Sequence, residues 1–278
     1  MAVRKPNPPS PEGRVRVVAP CTPFVRERFE AGLACLVDLG WEPDTDSRAY
    51  AADSFLAGPD ADRAAALAEA FEDPEVTAIL AARGGYGSMR LLESLSGRCA
   101  SFRPITFCGF SDVTALHRLL MDDAGLGTFH GPNVTTLPQL DAPSQARFAA
   151  FLSGADPAST FRWEGLSPVR GGRAEGRIVA GNLSMISALW GTRWAAPLDG
   201  TLLVLEDVGE PAYRIDRMLV QLALQPAASR IAGIAFGDLG ERPEAAERVG
   251  RSVAELADRL NVPVVSGFPA GHGASNHP

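Results

Sequence analysis

Short apolar runs that alternate with longer segments of helical period constrain this chain more than any other feature. Arg14 to Ala19 is an apolar-alternating run closed by Pro20, and Phe24 to Leu39 then carries apolar residues at helical spacing up to Gly40. The pattern recurs: Ala61 to Phe71 is Ala-rich and helical, Val76 to Ala82 is a short apolar run, and Ser88 to Leu95 is helical again. Pro104 to Phe110 reads as a third buried strand, continued directly by a helix over Val113 to Asp122. Strands joined through helices pair in parallel, so the expected fold class is α/β, a parallel sheet covered by helices.

From Ser153 to Gly172 the periodicity gives way to Gly, Pro, Ser and charged residues, which places a linker at 153–172. It separates an N-terminal α/β domain, 12–152, from a C-terminal α/β domain, 173–278. The second domain restarts with a strand at Arg177 to Ala180 and a helix at Leu183 to Trp190. A strand at Thr201 to Leu205, a helix at Ile215 to Leu224, a strand at Ile231 to Phe236 and a helix at Ala245 to Leu260 follow. The last strand, Val262 to Val265, runs into a loop holding Gly267, Gly271 and His272.

Composition removes several classes of function. The net charge is −7 and no Lys/Arg block stands out, so nucleic acid is not an expected partner. The apolar runs fall far short of the roughly 20 residues a membrane span needs. Met1 to Pro11 is basic and Pro-rich without the apolar core of a secretory signal, and reads as a short loose lead-in. Cys21, Cys35, Cys99 and Cys108 are widely spaced with no CxxC, which suits reduced core thiols and a cytoplasmic location. No HxxxH or Cys/His cluster is present, so no metal site is expected.

Gly109, Phe110, Ser111 and Asp112 lie where an apolar strand turns into a helix, a place where a serine hydroxyl projects and helix N-terminal amides face an oxyanion. On the turn alone, a helix-capping Ser or Asp is the simpler account. The usual elbow has Gly two residues after the serine, and here Val113 stands there. Arg83 to Gly87 follows another apolar run and offers backbone amides to an anion, though it lacks GxGxxG spacing and a Walker Lys-Ser/Thr pair. Glu206 and Asp207 end the Thr201 to Leu205 strand, with Glu210 close behind, where α/β proteins gather ligands. Of the four histidines, His117 sits six residues into the helix after Ser111, placed for packing or the helix surface. His130 is unassigned, and neither His272 nor His277 has a ligand-spaced partner beyond the other. His272, in an exposed Gly-rich loop, is the expected base.

Taken together, RGGYGSMRLL from Arg83, GFSDVTAL from Gly109 and HGPN from His130 resemble the LD-carboxypeptidase family of serine peptidases. The resemblance runs on through GNLSMISALWGT from Gly181, LEDVGEPAYRIDRML from Leu205 and GFPAGH from Gly267, so it spans nearly the whole chain. It implies a flavodoxin-like N-terminal domain carrying the nucleophile Ser111, and a smaller α/β domain bringing Glu206 and the base His272, with the active site between them. It also implies an oxyanion hole from the N–H groups of Asp112 and of Gly85, chosen over Gly84. No cofactor is implied.

The implied substrate is murein tetrapeptide, cut at the amide between the L-centre of diaminopimelate and terminal D-alanine during cytoplasmic cell-wall recycling, by a homodimer. Arg83, Arg90 and Arg214 are candidates for its carboxylates, without an assigned role. Relatives continue past the base, whereas Pro278 follows His272 closely, which implies less support for the His272 loop. Two alternatives accompany this reading: a microcin-immunity-type serine amidase acting on peptide- or aminoacyl-nucleotides, and a murein-peptide binding protein with impaired catalysis. The extra substrate loop of the former has no evident counterpart here.

Overall fold

The computed structural model describes residues 3–10, 13–154, 162–240 and 243–278. The chain divides into two compact units, Met1–Phe161 with His277 and Pro278, and Arg162–Asn276.

The first unit is built on five parallel strands: β1 (Arg14–Val18), β2 (Pro43–Thr45), β3 (Val76–Ala81), β4 (Thr106–Gly109) and β5 (Phe129–His130). Their order, β2-β1-β3-β4-β5, is that of flavodoxin-like sheets, as the family resemblance implies. β3 is buried along almost its whole length, which is why it reads as a continuous apolar run instead of an alternating one. Helices α1 (Arg26–Asp38), α2 (Asp60–Glu72), α3 (Leu92–Ser96), α4 (Thr114–Asp123) and α5 (Ala142–Leu152) accompany the strands. The core includes Val15, Val17, Phe29, Leu80 and Phe148.

Three local features depart from the sequence reading. Ser88 to Leu95 forms a 3-10 turn over Ser88–Leu91 before α3, because the chain leaves a glycine loop and is held there by side chains described below. α5 is an additional helix, started by Asp141, whose carboxylate accepts the Ser144 N–H at 2.8 Å. Residues 3–10, expected as a loose lead-in, are pinned instead. The Arg4 and Asn7 amides donate to the Gly125 and Pro104 carbonyls, and the Arg4 guanidinium donates to the Ala124 carbonyl at 2.8 Å. Backbone groups ahead of β4 and β5 supply the acceptors.

In the second unit the order is β6-β10-β9-β8-β7, from β6 (Ser167–Arg170), β7 (Arg177–Asn182), β8 (Thr201–Glu206), β9 (Gly233–Phe236) and β10 (Val264–Ser266). The four later strands are parallel and β6 is an antiparallel edge. Between them run α6 (Leu183–Leu189), α7 (Ala212–Ala223) and α8 (Pro243–Leu260). Leu203, Leu205, Ile215, Leu222 and Leu256 belong to its core. The stretch expected as a linker, 153–172, carries β6, and its residues 155–161 lie outside the described residues. No described helix is long and apolar enough to cross a membrane. All four cysteines are free thiols, three of them buried.

Candidate active site

β4 ends at Gly109, Phe110 is extended, and Ser111 takes a left-handed φ of +66° before a 3-10 turn, Ser111–Val113, leads into α4. A left-handed conformation at a residue with a side chain costs about 1–2 kcal/mol and lifts the hydroxyl out of the sheet's edge. Val113, where a second glycine is usual, is accommodated from the other side: a Cβ on Gly109 would lie 3.0 Å from Val113 Cγ1 and 2.8 Å from Ala81 Cβ. The Thr114 hydroxyl donates to the Ser111 carbonyl at 2.7 Å, and the Phe110 N–H donates to Asn133 Oδ1 at 3.2 Å. Local side chains therefore hold the turn on both flanks.

The Gly-rich loop after β3 lies directly against this turn. A Cβ on Gly84 would stand 2.8 Å from Ser111 Cβ and 3.0 Å from its Oγ, so only glycine lets the loop approach so closely. Asp112 ties the two segments: its buried carboxylate accepts the Ser88 N–H at 2.8 Å, and its carbonyl accepts the Ser88 hydroxyl. The loop after β1 holds the other side. Thr22 Oγ1 accepts the Tyr86 N–H at 2.8 Å, and the Thr22 N–H donates to the Gly84 carbonyl at 3.4 Å. β1 and β3 flank the point where the strand order reverses, the usual ligand position in such sheets.

The second unit brings Glu206 and His272 together. Glu206 is the last residue of β8 and is fully buried, and its Oε2 lies 2.9 Å from His272 Nδ1. Burial pushes the Glu206 carboxyl above its ordinary value, and the His272 hydrogen bond opposes that rise. The Phe268 N–H donates to the Phe236 carbonyl and the Asp238 N–H to the Ala270 carbonyl, which anchors the His272 loop to the end of β9. Asp207 is buried beside this pair. It accepts Val208 N–H at 2.8 Å, Ser184 N–H at 2.9 Å and Asn182 Nδ2 at 3.1 Å, and burial raises its value too. With Nδ1–H donated to Glu206, His272 keeps the lone pair on Nε2 for a proton.

The remaining candidates have other duties. His117 is buried in α4, with Nε2 2.8 Å from the Gly109 carbonyl and Nδ1 2.9 Å from Thr128 Oγ1. Burial holds it neutral, down at about 4, so it is a packing residue behind the end of β4. His130 is buried, with its ring edge-on to Phe110. Arg83 donates to the Pro23 carbonyl at 2.8 Å, Arg90 pairs with Asp60 at 2.7 Å, and Arg214 pairs with Glu210 at 3.3 Å. No cluster of His, Cys, Asp or Glu among the described residues suits a metal ion. The sequence reading passed over Thr22 and Arg63, and took in Asn182 only as part of the motif GNLSMISALWGT. Of the first two, only Arg63 left a trace, because it falls in the apolar stripe of α2 with Leu67 and Phe71.

Comparison with known proteins agrees over both units. Residues 15–131 match the LD-carboxypeptidase N-terminal domain and residues 175–278 the LD-carboxypeptidase C-terminal domain. A putative carboxypeptidase of Streptomyces coelicolor is 39% identical, covering 95% of this chain and 86% of its own. The murein tetrapeptide carboxypeptidase of Pseudomonas aeruginosa is 36% identical, over 95% of this chain and 90% of its own. The crystal structure of an MccF-like protein from Bacillus anthracis superimposes with a TM-score of 0.85 at 25% identity, covering 99% of this chain and 92% of that one.

Proposed function

The chain belongs to the LD-carboxypeptidase family, and from that premise we propose that it is a serine carboxypeptidase releasing terminal D-alanine from murein tetrapeptide. The observation that carries this reading is the 2.9 Å contact between His272 Nδ1 and the buried Glu206 carboxylate. It fixes the tautomer that a general base needs.

In this mechanism His272 Nε2 takes the Ser111 hydroxyl proton as the serine oxygen attacks the carbonyl preceding D-alanine. The carbonyl π pair moves onto oxygen, where the Gly85 and Asp112 N–H groups receive the charge. The Gly84 carbonyl points at the Thr22 N–H, so in a trans peptide the Gly85 N–H points the opposite way, which favours Gly85 over Gly84 as donor. Asp112 offers its amide from the first turn of a helix, where backbone N–H groups have no intrahelical acceptor. Collapse of the intermediate breaks the C–N bond, and His272 returns the proton to the departing amine. Water then repeats the sequence on the acyl-enzyme, and Glu206 stabilises the imidazolium each time it forms.

The same reading includes a cytoplasmic location and a homodimer, the latter checked by sedimentation of the purified chain. The activity test is incubation of the wild type and Ser111→Ala with murein tetrapeptide, following free D-alanine by mass spectrometry. Release by the wild type alone supports the reading. Turnover by the variant sinks the nucleophile assignment, whereas an aminoacyl-nucleotide cut in preference to the tetrapeptide would replace the substrate.

A further inference from the structure

Arg63 is a buried cation that the proposed reaction does not use. Its side chain is 1% exposed, in the first turns of α2 and on the same stripe as Leu67 and Phe71. Most of the fork is spent on backbone. Nε donates to the Gly58 carbonyl at 3.2 Å, and Nη1 donates to the Gly87 carbonyl at 3.2 Å and to the Pro20 carbonyl. Nη2 pairs with the Asp60 carboxylate, whose other partner is Arg90 in the turn that follows the Gly-rich loop. A Cβ on Gly87 would stand 2.9 Å from Arg63 Nη1, so the guanidinium is packed directly against the loop's backbone.

Burying a charge is expensive, and an apolar side chain would serve the α2 stripe at lower cost. What a planar fork with five fixed donors adds is simultaneous hold on several carbonyls. Here two of those carbonyls, Pro20 and Gly87, belong to the loops after β1 and β3, the strands that flank the point of reversal, and Gly87 is two residues from Gly85. We propose that Arg63 is a positioning residue for the oxyanion-binding loop, which fixes Gly87 against Pro20 and so aims the Gly85 N–H at the carbonyl that Ser111 attacks. This rests on the reading of Ser111 and Gly85 given above.

A misaimed oxyanion donor weakens the transition state and leaves ground-state binding alone, so kcat falls while KM holds. The test uses the full chain and two variants, Arg63→Lys and Arg63→Ala, with near-UV circular dichroism and thermal melting to establish the folded fraction. Each is titrated with a fluorophosphonate, which reports serine and oxyanion hole independently of the peptide, and then assayed on murein tetrapeptide. Per folded molecule, Arg63→Lys is expected to label about 10- to 100-fold more slowly than wild type, with kcat down by the same factor and KM within about threefold. Methylguanidine is expected to restore part of the rate in Arg63→Ala, and if that variant does not fold, the lysine variant carries the test.

Wild-type labelling and kcat in Arg63→Lys would overturn the proposal. So would a deficit confined to KM, or one accounted for by unfolded protein. A wild type that does not label at Ser111 would remove the nucleophile assignment and this proposal with it, a result distinct from a labelling wild type with an indifferent Arg63.

Discussion

The two units place the proposed catalytic residues at the carboxyl ends of parallel strands, but they hold them by different physical means. Past the end of β4, Ser111 sits in a left-handed backbone conformation, and the loops around it are held by hydrogen bonds with Thr22, Asp112 and Arg63. At the end of β8, Glu206 sits in regular strand geometry, and the unusual feature is two adjacent buried carboxyls, Glu206 and Asp207, both pushed up by desolvation. The first unit adds a backbone cost to buried charges, Asp112 and Arg63, that are hydrogen-bonded to the loops, and the second stores its cost in two adjacent carboxyls. Both arrangements persist only where the surroundings over-determine them.

The largest expected effect tests the first half of this contrast. Ser111→Gly should lower D-alanine release by about 10⁶-fold, the scale of losing a triad nucleophile. It should also stabilise the fold by roughly 1 kcal/mol, because glycine takes a φ of +66° without penalty. Ser111→Ala should lose the activity but keep the strain. A melting temperature equal in the two variants would show that the elbow costs nothing.

Glu206→Gln tests the second half. A neutral isostere leaves the imidazole in the wrong tautomer, which in serine triads lowers kcat by about 10⁴-fold. It also removes a buried charge. Because the folded-state value of Glu206 is raised, the ionised form costs stability above that value, and the cost disappears as pH falls to the ordinary carboxylate range. The variant should therefore melt no lower than wild type at pH 8, and its advantage should vanish near pH 4. A variant less stable than wild type at every pH would mean that the His272 hydrogen bond outweighs desolvation.

A third prediction sets the units against each other without mutation. His117 in the first unit has a folded value of about 4 against an ordinary 6.5, so the unfolded state takes the proton first as pH falls. Stability present above 6.5 is lost on the way down to 4, up to about 3 kcal/mol, and burial of His277 acts in the same direction. Glu206 and Asp207 carry the opposite sign, since their folded values are raised and acid relieves them. Hydrogen exchange at pH 7.5 and 5.0, corrected for intrinsic rates, should show first-unit peptides losing protection relative to second-unit peptides. Equal loss in both would end the contrast.

The same division explains what could be read from the residues. Elements with enough length to show a period were legible, and β4, Ser111 and α4 fall out of an apolar run continued by helical spacing. β2 and β5, of three and two residues, are too short to alternate, and β6 lies in a polar stretch because it is an exposed antiparallel edge. Asp141 followed by Pro143 signalled the start of α5, and the weakly patterned run after it hid the helix. Ser111, Glu206 and His272 stood out through family motifs. Thr22 did not, because a side chain that grips a backbone amide leaves no periodic or spacing signal of its own, and Arg63 left only its place on the apolar stripe of α2, which does not say what it grips.

Thr22→Val gives the smallest predicted effect and refines the account of the first unit. The change is nearly isosteric and deletes the hydroxyl that takes the Tyr86 N–H at 2.8 Å and donates weakly to the Tyr86 carbonyl at 3.4 Å. A hydrogen bond of this kind is worth about 1 kcal/mol, which corresponds to roughly fivefold if all of it is expressed in the transition state. The Tyr86 amide is one residue beyond Gly85, so a kcat loss of about that size with unchanged KM would mean that the loop is held by several modest contacts acting in parallel. Full wild-type kcat would mean that the Arg63 and Asp112 contacts to Gly87 and Ser88 suffice, and that the loop's aim is set from its far end.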